Sequence, residues 1–158
     1  MKRKKVKKTR NTALWTTVIL WMMLIYFLSS QVALDSYELS NRINNIIFRL
    51  IEKIALPSDF DIIYFSNFIR KTGHFLMYFI LGILVLSLLR GKLSRSKRLG
   101  AAMLICIIFA LTDEFHQMFV PGRTPLVSDI LIDILGSFFG ILVKLVLETS
   151  VFKKFNDN

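Results

Sequence analysis

The chain has one cysteine, three prolines and two histidines among 158 residues. A single cysteine excludes an internal disulfide framework. Acidic residues are scarce beside basic ones, 11 Asp and Glu against 21 Lys and Arg, for a formal charge of +10. Charged residues make up only 20% of the chain and apolar residues 54%, which excludes a disordered protein. The basic segments lack the aromatic and glycine patterning of nucleic-acid binders, so no nucleic-acid partner is expected. Nucleophile elbow, P-loop and zinc-peptidase motifs are all missing, so no reaction class follows from motifs. No A-x-A cleavage site follows the first apolar stretch, where the chain runs Ser29-Ser30-Gln31-Val32-Ala33. An uncleaved first helix is therefore expected rather than a signal peptide.

What is present is apolar residues in long blocks. The four blocks run from Ala13 to Leu28, His74 to Leu89, Leu99 to Phe119 and Leu126 to Leu147. A spanning helix needs about 20 mostly apolar residues to cross ~30 Å of hydrocarbon. The third and fourth blocks reach that length only by including Asp113 and Glu114, and Asp129 and Asp133. The expected fold is all-α, a polytopic membrane protein with four transmembrane helices. The expected organisation is a basic tail over 1–12, a membrane domain over 13–147 and a second tail over 148–158.

Charge sets the expected orientation. Residues 1–12 carry seven Lys or Arg and no acid, and the short loop 90–98 carries five and no acid. The long connection 29–73 carries five basic and five acidic residues. Basic residues in short loops mark the cytoplasmic side. Both termini and the loop 90–98 are expected in the cytoplasm. Trp15 and Tyr26 sit near opposite ends of the first span, as interfacial aromatics do.

The outer connection carries a pattern of its own. Leu39, Ile43, Ile46, Ile47, Leu50, Ile51 and Ile54 recur at helical spacing, with Asn41, Arg42, Asn45, Arg49, Glu52 and Lys53 on the other face. This predicts an amphipathic helix in the first outer loop, capped by Ser40 and stopped before Pro57. Phe60 to Phe68 is partly apolar but too interrupted to span. Gly73 and Gly122 are expected at backbone turns.

Polar residues collect at one end of this topology. Lys71, His74 and Tyr78 lie at i, i+3 and i+7, so they share a face of the second span. Asp113, His116 and Gln117 do the same at the end of the third. Asp129 and Asp133 lie one turn apart at the start of the fourth. Arg123 sits in the tight loop Pro121-Gly122-Arg123-Thr124-Pro125 between them. Because successive spans alternate in direction, all these groups meet the outer surface. A carboxylate such as Asp133, ~10 Å along the helix from Leu126, costs several kcal/mol if it faces lipid. It must face the bundle interior, a wet cavity or a cation. Gly136 and Gly140 form a GxxxG pair, read as helix packing rather than chemistry. Cys106 reads as packing as well.

Three roles are compatible with this cluster. Lys71, Tyr78, Gln117, Arg123, Asp129 and Asp133 could bind an anionic head group, since Arg and Lys suit phosphate and carboxylate. Asp113 or Glu114 as base and His74 or His116 as acid could catalyse a hydrolase or transferase reaction on such a group. A non-catalytic envelope scaffold is the third. His74, His116, Asp113 and Asp133 offer mixed metal donors, but their spacing matches no established metal motif, so no metal and no other cofactor is expected.

The run Arg70-Lys71-x-Gly73-His74-Phe75-x-x-Tyr78, then Thr112-Asp113-Glu114-x-His116-Gln117-x-Phe119-x-Pro121-Gly122-Arg123, then Asp129-x-x-x-Asp133-x-x-Gly136-x-x-x-Gly140 resembles the VanZ-like family. Ser29-Ser30-Gln31, with Ser36 and Ser40, also fits it. The likeness covers about residues 15–147. It implies a small multi-span bacterial membrane protein of a family with some members linked to teicoplanin-type glycopeptide resistance. The partners this implies are membrane lipids and a lipid-linked cell-wall precursor or lipoglycopeptide. It supplies no mechanism.

Overall fold

The computed structural model describes residues 2–30, 62–121 and 126–156, with side chains over 11–30, 67–121 and 126–150. The expected amphipathic helix between Leu39 and Ile54 lies outside the described residues, as does Arg123. Every regular element described is an α-helix: α1 (Lys2–Ser29), α2 (Ile62–Leu88), α3 (Arg95–Gln117) and α4 (Val127–Asn156). Each contains a stretch long and apolar enough to cross a membrane: Asn11–Ser29, Asn67–Leu88, Arg95–Gln117 and Val127–Ser150.

The helices reach beyond the apolar blocks. α1 runs back through the basic segment, and α2 begins at Ile62, absorbing the stretch that reads as too interrupted to span. Gly73 lies inside α2 rather than at a turn, which corrects that expectation. A helix satisfies its own backbone groups, and one glycine in it costs only about 1 kcal/mol. The turn after α2 uses Gly91 instead, at φ +73°, where the absence of a Cβ makes the left-handed conformation accessible.

Contacts between helices fix an up-down-up-down bundle. Trp21 Nε1 of α1 donates to the Met77 carbonyl of α2 (3.0 Å), and Lys92 beyond the C-terminus of α2 lies over the Trp15 ring. At the same end Arg98 pairs with Glu148 across α3 and α4 at 2.7 Å. That end gathers the start of α1, the loop after α2 and the last turns of α4. The opposite end gathers Ser29, the start of α2, the end of α3 and the start of α4.

The closest pairing is between α2 and α4, which run parallel. A Cβ on Gly136 would overlap the Phe75 carbonyl oxygen, one on Gly140 that of Phe79, and one on Gly82 that of Ser137. Small residues therefore bring two backbones into direct contact, the usual basis of helix association in lipid. α3 brings Ala102, Cys106 and Ala110 to the core at four-residue steps. Its other face carries exposed Leu104, Ile108, Leu111 and Phe115. The core is completed by Val18, Ile25, Tyr78, Leu81, Val85, Leu86 and Ile141. All four helices expose large apolar side chains, among them Leu20, Phe27, Leu76 and Leu131, the surface a lipid-facing bundle requires.

Candidate functional site

The inward stripe of α4 reads Asp129, Asp133, Gly136, Ser137, Gly140, and every member is buried. The glycines draw α2 onto this stripe. The two aspartates, on the same stripe one turn apart, must then face α2 as well. Because the helices are parallel, α2 answers at the same four-residue step. Arg70 Nη2 lies 3.5 Å from Asp129 Oδ2, and His74 Nδ1 lies 3.3 Å from Asp133 Oδ1. Ser128 Oγ also donates to Asp129 Oδ1 (3.2 Å).

α3 continues its small-residue stripe with Asp113 and Gln117, both buried. Asp113 is 1% exposed, and neither of its carboxylate oxygens has a hydrogen-bond partner among the described residues. The Ser29 hydroxyl lies beside it. Gln117 Nε2 holds that hydroxyl from the other side at 2.7 Å. Tyr78, fully buried on α2, faces Asp113 and Asp133 without a hydrogen-bond partner for its own hydroxyl. Glu114, one residue on, accepts the backbone N–H of Leu126 just before α4. A carboxylate there complements the positive end of the α4 dipole.

His116 is engaged elsewhere. Its ring stacks on Tyr26 of α1 with centroids 4.1 Å apart, and its Nδ1 lies 3.1 Å from the Tyr26 hydroxyl. Lys71 is half-buried on α2 and forms no ion pair among the described residues.

The structure thus gathers His74, Tyr78, Asp113 and Asp133 into one buried cluster. Asp129 and Glu114 sit at the start of α4, and His116 and Gln117 turn toward α1. Three contributors escape a reading of the sequence. Arg70 takes the role of partner to Asp129. Its signal is the matching step of Arg70-x-x-x-His74 and Asp129-x-x-x-Asp133. Ser29 is visible only as part of the Ser29-Ser30-Gln31 likeness. Arg98 and Glu148 form an ion pair at the opposite end, which no spacing in the sequence links.

Chemically, the cluster offers an imidazole oriented by a carboxylate, a second carboxylate with free oxygens and a hydroxyl. One ligand atom from each of His74, Asp113 and Asp133 lies within 4.8 Å of the others. Such a set can hold a cation, accept hydrogen bonds or move a proton.

Comparison with known proteins yields one match. A family model described as VanZ/LLP1 matches residues 14–148. No curated protein and no solved structure matches the chain.

Proposed function

Since the chain belongs to the VanZ/LLP1 family, we propose that it is an envelope protein of the bacterial inner membrane whose polar end faces outward and binds an anionic head group. That group belongs to a membrane lipid or a lipid-linked cell-wall precursor, and its capture contributes to glycopeptide or lipoglycopeptide resistance. The observation that carries this reading is Lys71, half-buried on α2 beside Arg70 and in no ion pair among the described residues.

Lys71 supports the choice of an anion. A lysine ammonium is a point charge that suits phosphate or carboxylate. Arg123, in the loop joining α3 to α4, is expected at the same end. A second reading, hydrolysis or transfer on the same head group, draws support from the His74–Asp133 contact, which fixes an imidazole for proton transfer.

Mass spectrometry of lipids retained by the purified protein tests the proposal. Wild type should retain a phosphate-bearing lipid or precursor. Lys71→Ala should retain it at least ~10-fold less, equivalent to about 1.4 kcal/mol of binding. Equal retention by both proteins would overturn the reading. A turnover assay on the retained species then separates binding from catalysis.

A further inference from the structure

We propose that His74, Asp113 and Asp133 form a binding site for one divalent transition-metal ion, Zn2+ or Mn2+. The inference does not rest on the head-group reading. It starts from three helices, since the donors come from α2, α3 and α4 and converge within 4.8 Å. Ligand atoms around a cation at ~2.0–2.2 Å lie ~3–4.4 Å apart. Small rotations of these side chains therefore close the shell without moving a helix.

The charge pattern asks for a cation there. Asp113 and Asp133 are each 1% exposed. Arg70, the nearest guanidinium on α2, is already committed to Asp129. Glu114 is turned to the Leu126 N–H, and His116 to Tyr26. Among the described residues, His74 acts on both aspartates and His116 on Asp113. A buried carboxylate with no partner is costly in an apolar bundle, and a metal ion offsets that cost at two carboxylates together.

A second observation is independent of the carboxylates. The Tyr78 hydroxyl is fully buried beside Asp113 and Asp133, and among the described residues it makes no hydrogen bond within 3.5 Å. Once a metal draws Asp113 toward the centre, this hydroxyl can donate to its outer oxygen or approach the ion. Ser29, held by Gln117, flanks Asp113 in the same way. Outer groups that orient the ligands are characteristic of metal sites. One imidazole with two carboxylates suits zinc or manganese better than calcium or magnesium, which favour oxygen alone.

The test uses the full chain purified in detergent, stripped with chelator and titrated with ZnCl2 or MnCl2 by calorimetry. Wild type should take up one equivalent of one of these ions. Asp113→Asn and Asp133→Asn should each weaken uptake at least ~100-fold, while Lys71→Ala should bind metal as wild type does. X-ray absorption on the loaded wild type needs no variant, and should show one imidazole among oxygen donors. Failure of wild type to bind, uptake unchanged in both aspartate variants, or a shell without imidazole would each overturn the site. Lipid retention measured on the same preparations keeps the two proposals separable, since wild type that retains lipid but takes up no metal sinks only this one.

Discussion

Asp113 and Arg98 are both buried charged residues on α3, at opposite ends of the bundle. Arg98 is paired, with its Nη2 2.7 Å from Glu148 Oε2. Arg98→Ala strands that carboxylate and should destabilise the fold by ~2 kcal/mol, the scale of a lost hydrogen bond to a charged group. Asp113→Asn keeps the shape of the side chain and removes a buried charge that makes no hydrogen bond within 3.5 Å among the described residues, so stability should hold or rise. Activity in a resistance assay should nevertheless disappear, because the buried cluster with His74 and Asp133 loses a carboxylate that metal binding and proton transfer both need. A quantitative membrane blot beside the assay reads both effects. If function and abundance fall in strict proportion for Asp113→Asn, the cluster is a structural network.

At the scale of elements, the α2–α4 contact is set by glycine. A Cβ at Gly140 would collide with the Phe79 carbonyl oxygen, which belongs to a rigid backbone and cannot swing aside. Gly140→Ala should therefore lower stability by ~1–3 kcal/mol, as overpacking does. Gly73 is also in a helix, yet a Cβ there would meet nothing within 4 Å. Gly73→Ala should be neutral or gain up to about 1 kcal/mol from helix propensity. Thermal unfolding of both variants in detergent checks the order. The reverse order would contradict the parallel packing that brings His74 to Asp133, and with it the geometry of the site.

The whole molecule places the loop after α2 and the last turns of α4 at one end, and Asp113, Asp129 and Asp133 at the other. The seven basic residues of 1–12 and five of 90–98 belong to the first end, which the positive-inside rule assigns to the cytoplasm. Reporters fused after Asn158 or inserted within 92–97 should be cytoplasmic, and a reporter near Asp59 external. An external C-terminal reporter would turn the polar site toward the cytoplasm and end its proposed access to outer-leaflet precursors.

The amino-acid sequence by itself determines the number of spans, because hydrophobic length is a local property that no tertiary contact can supply. It also determines that His74, Asp113 and Asp133 share one end, since consecutive spans joined by short loops must alternate. Which of these groups touch is another matter. One residue of helix turns a side chain by about 100°, so contacts depend on the rotation and axial register of neighbouring helices. Only packing decides those. The seating of Gly136 and Gly140 on Phe75 and Phe79 selects Arg70 rather than Lys71 for Asp129. It aligns His74 with Asp133. The same packing keeps Gly73 helical and joins Arg98 to Glu148, two residues far apart in the chain and unremarked in either segment. Helix-to-helix register is a sum of many weak contacts from distant segments, which is why it resides in the tertiary structure and not in any local pattern.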